Sequence, residues 1–482
     1  MEYAVFIKFC ILCVTLDKKF TNRYIMMKKA LIIAAAMAVI PFSLGAQSVK
    51  DLIKEKPERA AGNLYHYEAP EKIIDTPAPK GYKPFYISNY TRHGSRYQSG
   101  TFEFTRIIPI FEELEKEGLL SETGKQLAKD IQTIYGEHDL MDGVLTLRGG
   151  QEQQDIAQRL YDRYPEVFNQ PDRDRLFCVS TPVHRVLESL ANFTSTVKAN
   201  APKLKLTVLA GDRFGDYLCY DKYSRPRSNT TAITDSLKRV YIHPEHFIAT
   251  MFTDADKAAE IISRPPKPAA PAAGQPQAGG RPGGFQMPAM SPASFMQSVF
   301  SAGSICNCLD QNNPDIFHYF TVDELYGMAY CSSVSIYNNY AFSVENQSGR
   351  TLTAQLTIND ILNKADDAVA GNNRCADLRF GHDTGIGPLL SLMGVEGYDK
   401  ILSIAKDDMD YWPAFKYLNM CSNLQMIFYK NDSGDVLVKM YRNENETTIP
   451  ALKTFYGPYY KWTDLRAYLA GKLEGFVNPM LK

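Results

Sequence analysis

The sequence predicts an α/β fold: a three-layer sandwich around a mostly parallel sheet, with a smaller, mainly α-helical cap domain inserted into it. Three observations carry this expectation. Short apolar segments of strand character alternate with longer stretches of helical periodicity. Residues of chemical interest stand directly after three of the strand segments, where open α/β sheets place their ligand sites. A stretch from about residue 215 to residue 370 is mostly helical in pattern and interrupts the alternation.

The first elements in chain order lie outside that fold. Met27-Lys28-Lys29 precedes an apolar run, Ala30 to Ile40, and then Pro41 to Ala46 ends in small residues. A charged region, an apolar region and a small-residue cleavage site follow in secretory order, so residues 27–46 are expected to be a signal peptide, cut after Ala46. The apolar run is shorter than the roughly 20 residues of a membrane-spanning helix. Residues 1–26 are read as an upstream extension, with Met27 as the initiator. The protein is therefore expected to be exported, to the bacterial periplasm or the medium, with no membrane span after signal removal.

The whole chain has 482 residues, with 53 Lys and Arg against 54 Asp and Glu. The first 46 hold six basic and two acidic residues, so the remaining 436 carry a formal charge of −5 against −1 overall. With 45% hydrophobic and 22% charged residues the chain is globular, neither disordered nor collagen-like. The absence of a basic excess gives no support to nucleic-acid binding. Seven cysteines follow residue 46, so export permits disulfides while the odd count leaves at least one thiol without an internal partner. Cys306-Asn-Cys308 lacks a matching pair at zinc spacing, so no metal or other cofactor is expected.

A polar, proline-containing lead-in reaches a strand at Pro84–Thr91. Ile107, Ile108, Phe111 and Leu114 recur at helical spacing until Gly118, and further helices are expected from about Ser121 to Tyr135 and from Thr146 to Tyr164. Leu176–Ser180 is a short strand followed by Thr181-Pro182, an N-cap with proline at the first helical position. Leu206–Ala210 is another strand. Within the helical stretch, residues 264–290 contain seven prolines, five glycines and no acid, the composition of a flexible loop. Strands return at Asp377–Gly381, Leu424–Lys430 and Val436–Arg442, the last two flanking the turn Asn431-Asp432-Ser433-Gly434. The expected division is therefore an α/β domain from residues 47–214 and 371–482, with residues 215–370 as the cap.

Three motifs carry chemistry. Arg92-His93-Gly94-Ser95-Arg96 follows the first strand. Its arginine forks match phosphate oxygens in charge and geometry, and a neutral histidine between them can attack phosphorus. Ser180-Thr181-Pro182-Val183-His184-Arg185 places another arginine at a helix start, which favours anions, with Ser189 one turn on. Phe380-Gly381-His382-Asp383-Thr384 offers a histidine that can donate to a phosphate oxygen and an acid that can protonate a leaving alkoxide. The set is an anion cradle, a nucleophile and a proton donor.

These residues resemble the histidine acid phosphatase family, within branch 2 of the histidine phosphatase superfamily, over roughly residues 84–450. Tyr97 after Arg96, the run Pro388-Leu389-Leu390-Ser391-Leu392-Met393-Gly394 and Leu145-Thr146 with Gly149 look like its multiple inositol polyphosphate phosphatase and phytase branch. That branch usually has His-Ala-Glu where this chain has His382-Asp383-Thr384, so the donor here would be Asp383, as in the acid phosphatases. The resemblance implies a phosphoric monoester hydrolase acting on a small-molecule phosphate monoester, plausibly an inositol polyphosphate such as phytate. His93 would be the nucleophile and Asp383 the acid. Arg92, Arg96, Arg185 and His382 would bind the phosphate. A general acid phosphatase, or a sugar or glycerate phosphatase of the same fold, is the alternative. A non-catalytic protein binding phosphorylated ligands is the alternative of a different class.

Overall fold

The computed structural model describes residues 47–138, 140–219, 229–265, 289–309, 313–346 and 351–476. The signal peptide and upstream extension expected over residues 1–46 lie outside the described residues, as does nearly all of the proline-rich segment, over 266–288.

Eight strands form one sheet: β1 (Lys83–Arg92), β2 (Arg175–Ser180), β3 (Lys205–Ala210), β4 (Arg374–Gly381), β5 (Asn423–Lys430), β6 (Val436–Arg442), β7 (Asn445–Thr447) and β8 (Tyr459–Lys461). Their order is β3-β2-β4-β1-β5-β6-β7, with β8 also paired to β6. Strands β3, β2, β4 and β1 run parallel. Beyond β1 the pairs are antiparallel. The α/β expectation is borne out, but the sheet is evenly mixed rather than mostly parallel. The reason is local: Asn431 Oδ1 accepts from the Asp435 amide at 2.8 Å, and Gly434 takes φ +89°. That tight turn returns the chain directly onto β5, whereas parallel pairing needs a long crossover.

The core follows from where the strands bury their apolar side chains. Against one face, Ile87, Leu378, Phe380 and Ile427 meet Ile156, Leu160, Val186 and Phe193. The last four come from two 17-residue helices, α4 (Leu147–Arg163) and α5 (His184–Asn200). Against the other face, Tyr86, Tyr90, Met426 and Phe428 meet Ile361, Ile386, Leu390 and Leu465. These belong to α9 (Thr351–Ala370), α10 (Asp383–Met393) and α11 (Trp462–Gly471). This is the three-layer sandwich.

A separate apolar cluster draws mainly on helices and takes nothing from the named strands of the sheet. It joins α1 (Val49–Glu55), α2 (Phe102–Lys116) and α3 (Glu122–Glu137) to α7 (Pro292–Gly303) and the first half of α8 (Val322–Tyr340), the helix α6 (Thr231–Tyr241) lying alongside α8. Phe104, Ile107, Phe111 and Leu114 line one side of α2, the periodicity that predicts this helix. Ser121 caps α3 by accepting from the Gly124 amide, and Thr321 forms a capping box with Glu324 at the start of α8.

Candidate active site

The three motifs meet because their strands are neighbours. In the parallel register Arg92 stands beside Gly381 and Ser180 beside Phe380, so β1, β4 and β2 end side by side. Beyond the strand ends the His93 amide donates to Gly381 O at 3.1 Å, and the Arg92 amide donates to Ser422 O at 2.9 Å.

The loop after β1 is held by the start of α4. A Cβ on Gly94 would collide with the backbone of Gly149, and one on Gly149 with the backbone of Ser95. Only hydrogen at both positions permits this approach. Buried Glu152 accepts from the Ser95 amide and hydroxyl, both at 2.8 Å, and from the Tyr67 amide at 2.9 Å. Thr146 caps α4 at Gly149 and donates to Ser95 O at 3.1 Å. From α5, Ser189 accepts from the Gly94 amide at 3.1 Å and donates to Arg185 O at 2.6 Å.

Within this frame Arg92 is fully buried, its Nη2 lying 2.9 Å from Asp383 Oδ2. Its Nη1 donates to Asn63 O at 2.7 Å and Leu418 O at 2.9 Å. Asn63 Nδ2 donates to the same Asp383 oxygen at 3.0 Å, and the Thr384 amide donates to Asp383 Oδ1 at 2.9 Å. His93 and His382 face each other edge to face, their centroids 5.5 Å apart. His93 Nδ1 lies 2.9 Å from Gly94 O. A carbonyl only accepts, so Nδ1 carries the proton and Nε2 keeps its lone pair. Arg96 and Arg185 bond backbone carbonyls through Nη1, to Tyr97 O at 2.7 Å and Gly143 O at 3.4 Å. The Nε atoms of Arg92, Arg96 and Arg185 are buried without hydrogen-bond partners.

The electrostatics are those of positive charge concentrated in a buried cluster. Burial, and then Arg92, Arg185, His382 and Arg96, hold His93 well below the usual histidine value. Burial and Arg185 bring His382 down to about 3. Burial and the neighbouring arginines pull even Arg96 down to about 10. Burial alone would push the Asp383 carboxyl up, but Arg92, His382 and Arg96 outweigh it and hold it below the usual carboxylate range. Both histidines are therefore neutral and Asp383 is ionised at mildly acidic pH.

All six residues singled out in the sequence belong to this cluster. One local expectation is corrected. Thr181 does not cap the helix that follows: α5 begins at His184, with Val183 in the cap position and no side-chain cap bond. The Thr181 hydroxyl instead lies 3.1 Å from His382 Nε2, a partner on another strand end. Asn63, Glu152 and Thr181 are the polar groups at the site that sequence reasoning misses. Of the six remaining histidines, three have partners away from the cluster: His66 lies beside Asn307, His138 accepts from the Gln98 amide, and His243 lies against Val240 O. Among the described residues no three His, Cys, Asp or Glu side chains are grouped to hold a metal, and no helix is long and apolar enough to cross a membrane.

Residues 91–203, which hold the first two motifs, match the family model for the histidine phosphatase superfamily (branch 2). The resemblance read from the sequence is thereby borne out. Human multiple inositol polyphosphate phosphatase 1 is 23% identical over 330 residues, 64% of this chain. This chain spans 62% of the length of that human relative. Among solved structures, the multiple inositol polyphosphate phosphatase of Bifidobacterium longum, in complex with inositol hexasulfate, superposes with a TM-score of 0.69 at 19% identity. The match covers 85% of this chain and 97% of that one. The phytase of D. castellii gives 0.62 at 15% identity, covering 87% and 86%. At these identities the likeness is one of fold, and the family model does not reach the third motif.

Proposed function

We propose that this chain hydrolyses phosphate monoesters, inositol polyphosphates among them, through a phosphohistidine on His93. The observation that carries this reading is the 2.9 Å contact of His93 Nδ1 with Gly94 O, which aims an unprotonated Nε2 away from the backbone. Three arginines and His382 surround it. Arg92, Arg96 and Arg185 hold the non-bridging oxygens, and the unsatisfied Nε donors of these side chains find acceptors there. With Thr181 donating to His382 Nε2, the other ring nitrogen keeps its proton for the phosphate.

His93 Nε2 attacks phosphorus, the P–O bond to the alcohol breaks, and Asp383 gives its proton to the departing oxygen. Water then attacks phosphorus, Asp383 takes a proton from it, the P–N bond breaks to return the electron pair to His93 Nε2, and inorganic phosphate leaves. The charge built up at phosphorus is met by the guanidinium groups, whose stabilisation is the main source of rate. Asp383 is ionised before substrate arrives. A bound phosphate dianion offsets the arginine field that keeps it so, and the carboxyl then holds a proton. This links proton uptake to binding and favours mildly acidic conditions. Relatives of this fold solved in complex with phosphate and with inositol hexasulfate support the choice of ligand.

The same reading includes export directed by residues 27–46. It also includes a helical cap within residues 215–370, to which α2 and α3 contribute through their shared apolar cluster, while α9 at the end of that stretch covers the sheet instead.

The test is single-turnover labelling with a phosphate-labelled ester at mildly acidic pH in chelator. The expected result is an acid-labile, base-stable label on the wild-type protein and none on His93→Ala. Full activity of His93→Ala, or a strict metal requirement, would overturn the mechanism.

A further inference from the structure

Beside the phosphate cluster lies a cavity of about 450 Å³ whose chemistry the proposed hydrolysis leaves unused. Asn63 belongs to both: it lines the cavity and donates to Asp383 Oδ2 at 3.0 Å. The backbone oxygen of the same residue accepts from Arg92. An alcohol released next to Asp383 therefore departs along the wall that Asn63 forms. The volume is that of a small-molecule site.

The walls are polar and apolar in about equal measure. Glu103 and Arg106 come from α2, Lys238 from α6, and several serine hydroxyls from α7 and α8, beside Leu64, Phe300 and Met328. Two of these groups have unmet needs. Glu103 Oε2 and Arg106 Nε are buried, and neither has a hydrogen-bond partner. They stand three residues apart on one helix, so their side chains are neighbours on one face. A buried donor and a buried acceptor left unpaired are costly, and a ligand that met both would remove both costs. That ligand needs an anionic oxygen for Arg106 and a hydroxyl for Glu103, close together.

We infer that the cavity is the leaving-group site, and that it takes a polyol bearing at least one further phosphate and at least one free hydroxyl. Arg106, with Lys238 at the rim, binds the further phosphate, and Glu103 accepts from the hydroxyl. A ring phosphorylated at every position sets a phosphate against Glu103, and like charges in a partly buried site repel. Partly phosphorylated inositols are thus favoured over the hexakisphosphate. This rests on the phosphomonoesterase reading above and adds the choice among its substrates.

The test compares kcat/KM for an inositol bisphosphate, inositol hexakisphosphate and nitrophenyl phosphate in the wild-type protein, Arg106→Gln and Glu103→Gln. The wild type is expected to favour the bisphosphate over the hexakisphosphate. In Arg106→Gln the bisphosphate-to-nitrophenyl ratio should fall about tenfold, mainly through KM, the scale of one lost charged contact. In Glu103→Gln the hexakisphosphate-to-bisphosphate ratio should rise by about the same factor. A wild type that prefers the hexakisphosphate, or variants that turn over nitrophenyl phosphate with both ratios unmoved, would overturn the inference and leave the hydrolytic reading standing. Absence of phosphate release from every ester, nitrophenyl phosphate included, would overturn both.

Discussion

The Nη2 of Arg92 and the Oδ2 of Asp383 lie 2.9 Å apart, the arginine fully buried and the carboxylate 16% exposed. The pair joins the residue before His93 to the residue after His382, and so ties the ends of β1 and β4 together. It also sets the resting charge of the site. In the proposed mechanism the aspartate acts as an acid, yet it is kept ionised until an anion competes for its arginine.

Replacing this aspartate should therefore expose its role through the leaving group. Asp383→Asn keeps the shape and the Asn63 contact but has no proton to give. Turnover of alkyl phosphates should fall by about 10²-fold or more, and that of nitrophenyl phosphate, whose leaving group needs no protonation, by much less. Steady-state kinetics on the two esters decides it: equal losses would assign Asp383 to positioning alone.

Stability should fall with pH in a window set by the histidines. His66 is brought down to about 4 by burial and Arg148, His382 to about 3, and His93 and His138 also lie below their ordinary value. In the unfolded chain each takes up a proton near pH 6.5. Below that value the unfolded state binds more protons than the folded one, so folding weakens as pH drops from about 6.5 toward 4. Asp383, lowered in the folded state, contributes stability above its ordinary value that is lost as pH falls further. Thermal melts at constant ionic strength should show Tm declining through this range. Inorganic phosphate, which binds only the folded site, should restore part of it. A flat Tm between pH 7 and 4.5 would contradict the buried neutral histidines.

Gly149→Ala should damage the fold and the site together. The added methyl meets the Ser95 backbone, which cannot move aside as a side-chain end could. The cost should be about 1–3 kcal/mol, read as a lower denaturant midpoint at unchanged m. The loop carrying His93 and Arg96 is anchored at this contact, so kcat should fall as well. Full activity at wild-type stability would show that the loop has another support.

The seven cysteines after residue 46 are all thiols, although the export proposed above would leave them free to oxidise. Burial pushes Cys375 and Cys306 up to about 12 and Cys308 up to about 11. Reductant should leave Tm unchanged, and a thiol reagent should react with few of the seven until the protein is denatured. A Tm lowered by reductant would reveal a disulfide.

The site was largely legible because its residues follow strands whose apolar centres are easy to see. Arg92-His93, Arg185 and His382-Asp383 each sit within a few residues of a strand end. What was not legible depends on distant partners. Asn63 reaches Asp383 across 320 residues, from a segment with no chemical signature. Thr181 followed the local rule for a cap in composition only, because His382 offered its hydroxyl a tertiary partner. The periodicity of α2 announced a helix with one buried face, but not that the face would join a helical cluster rather than the sheet. The antiparallel half of the sheet could be read at Asn431–Gly434, where the turn carries its own geometry.

The position of β4 also constrains the order in which the molecule assembles. β1 and β2 belong to the first 180 residues, yet they do not pair with each other; β4, from residues 374–381, lies between them. The central rungs of the sheet must wait for a segment made nearly 200 residues after β2. Such distant pairings are slow to form. The nascent chain thus holds His93 long before His382 and Asp383 exist to stand beside it, and the insertion of one strand joins the parallel strands and gathers the candidate site in the same event.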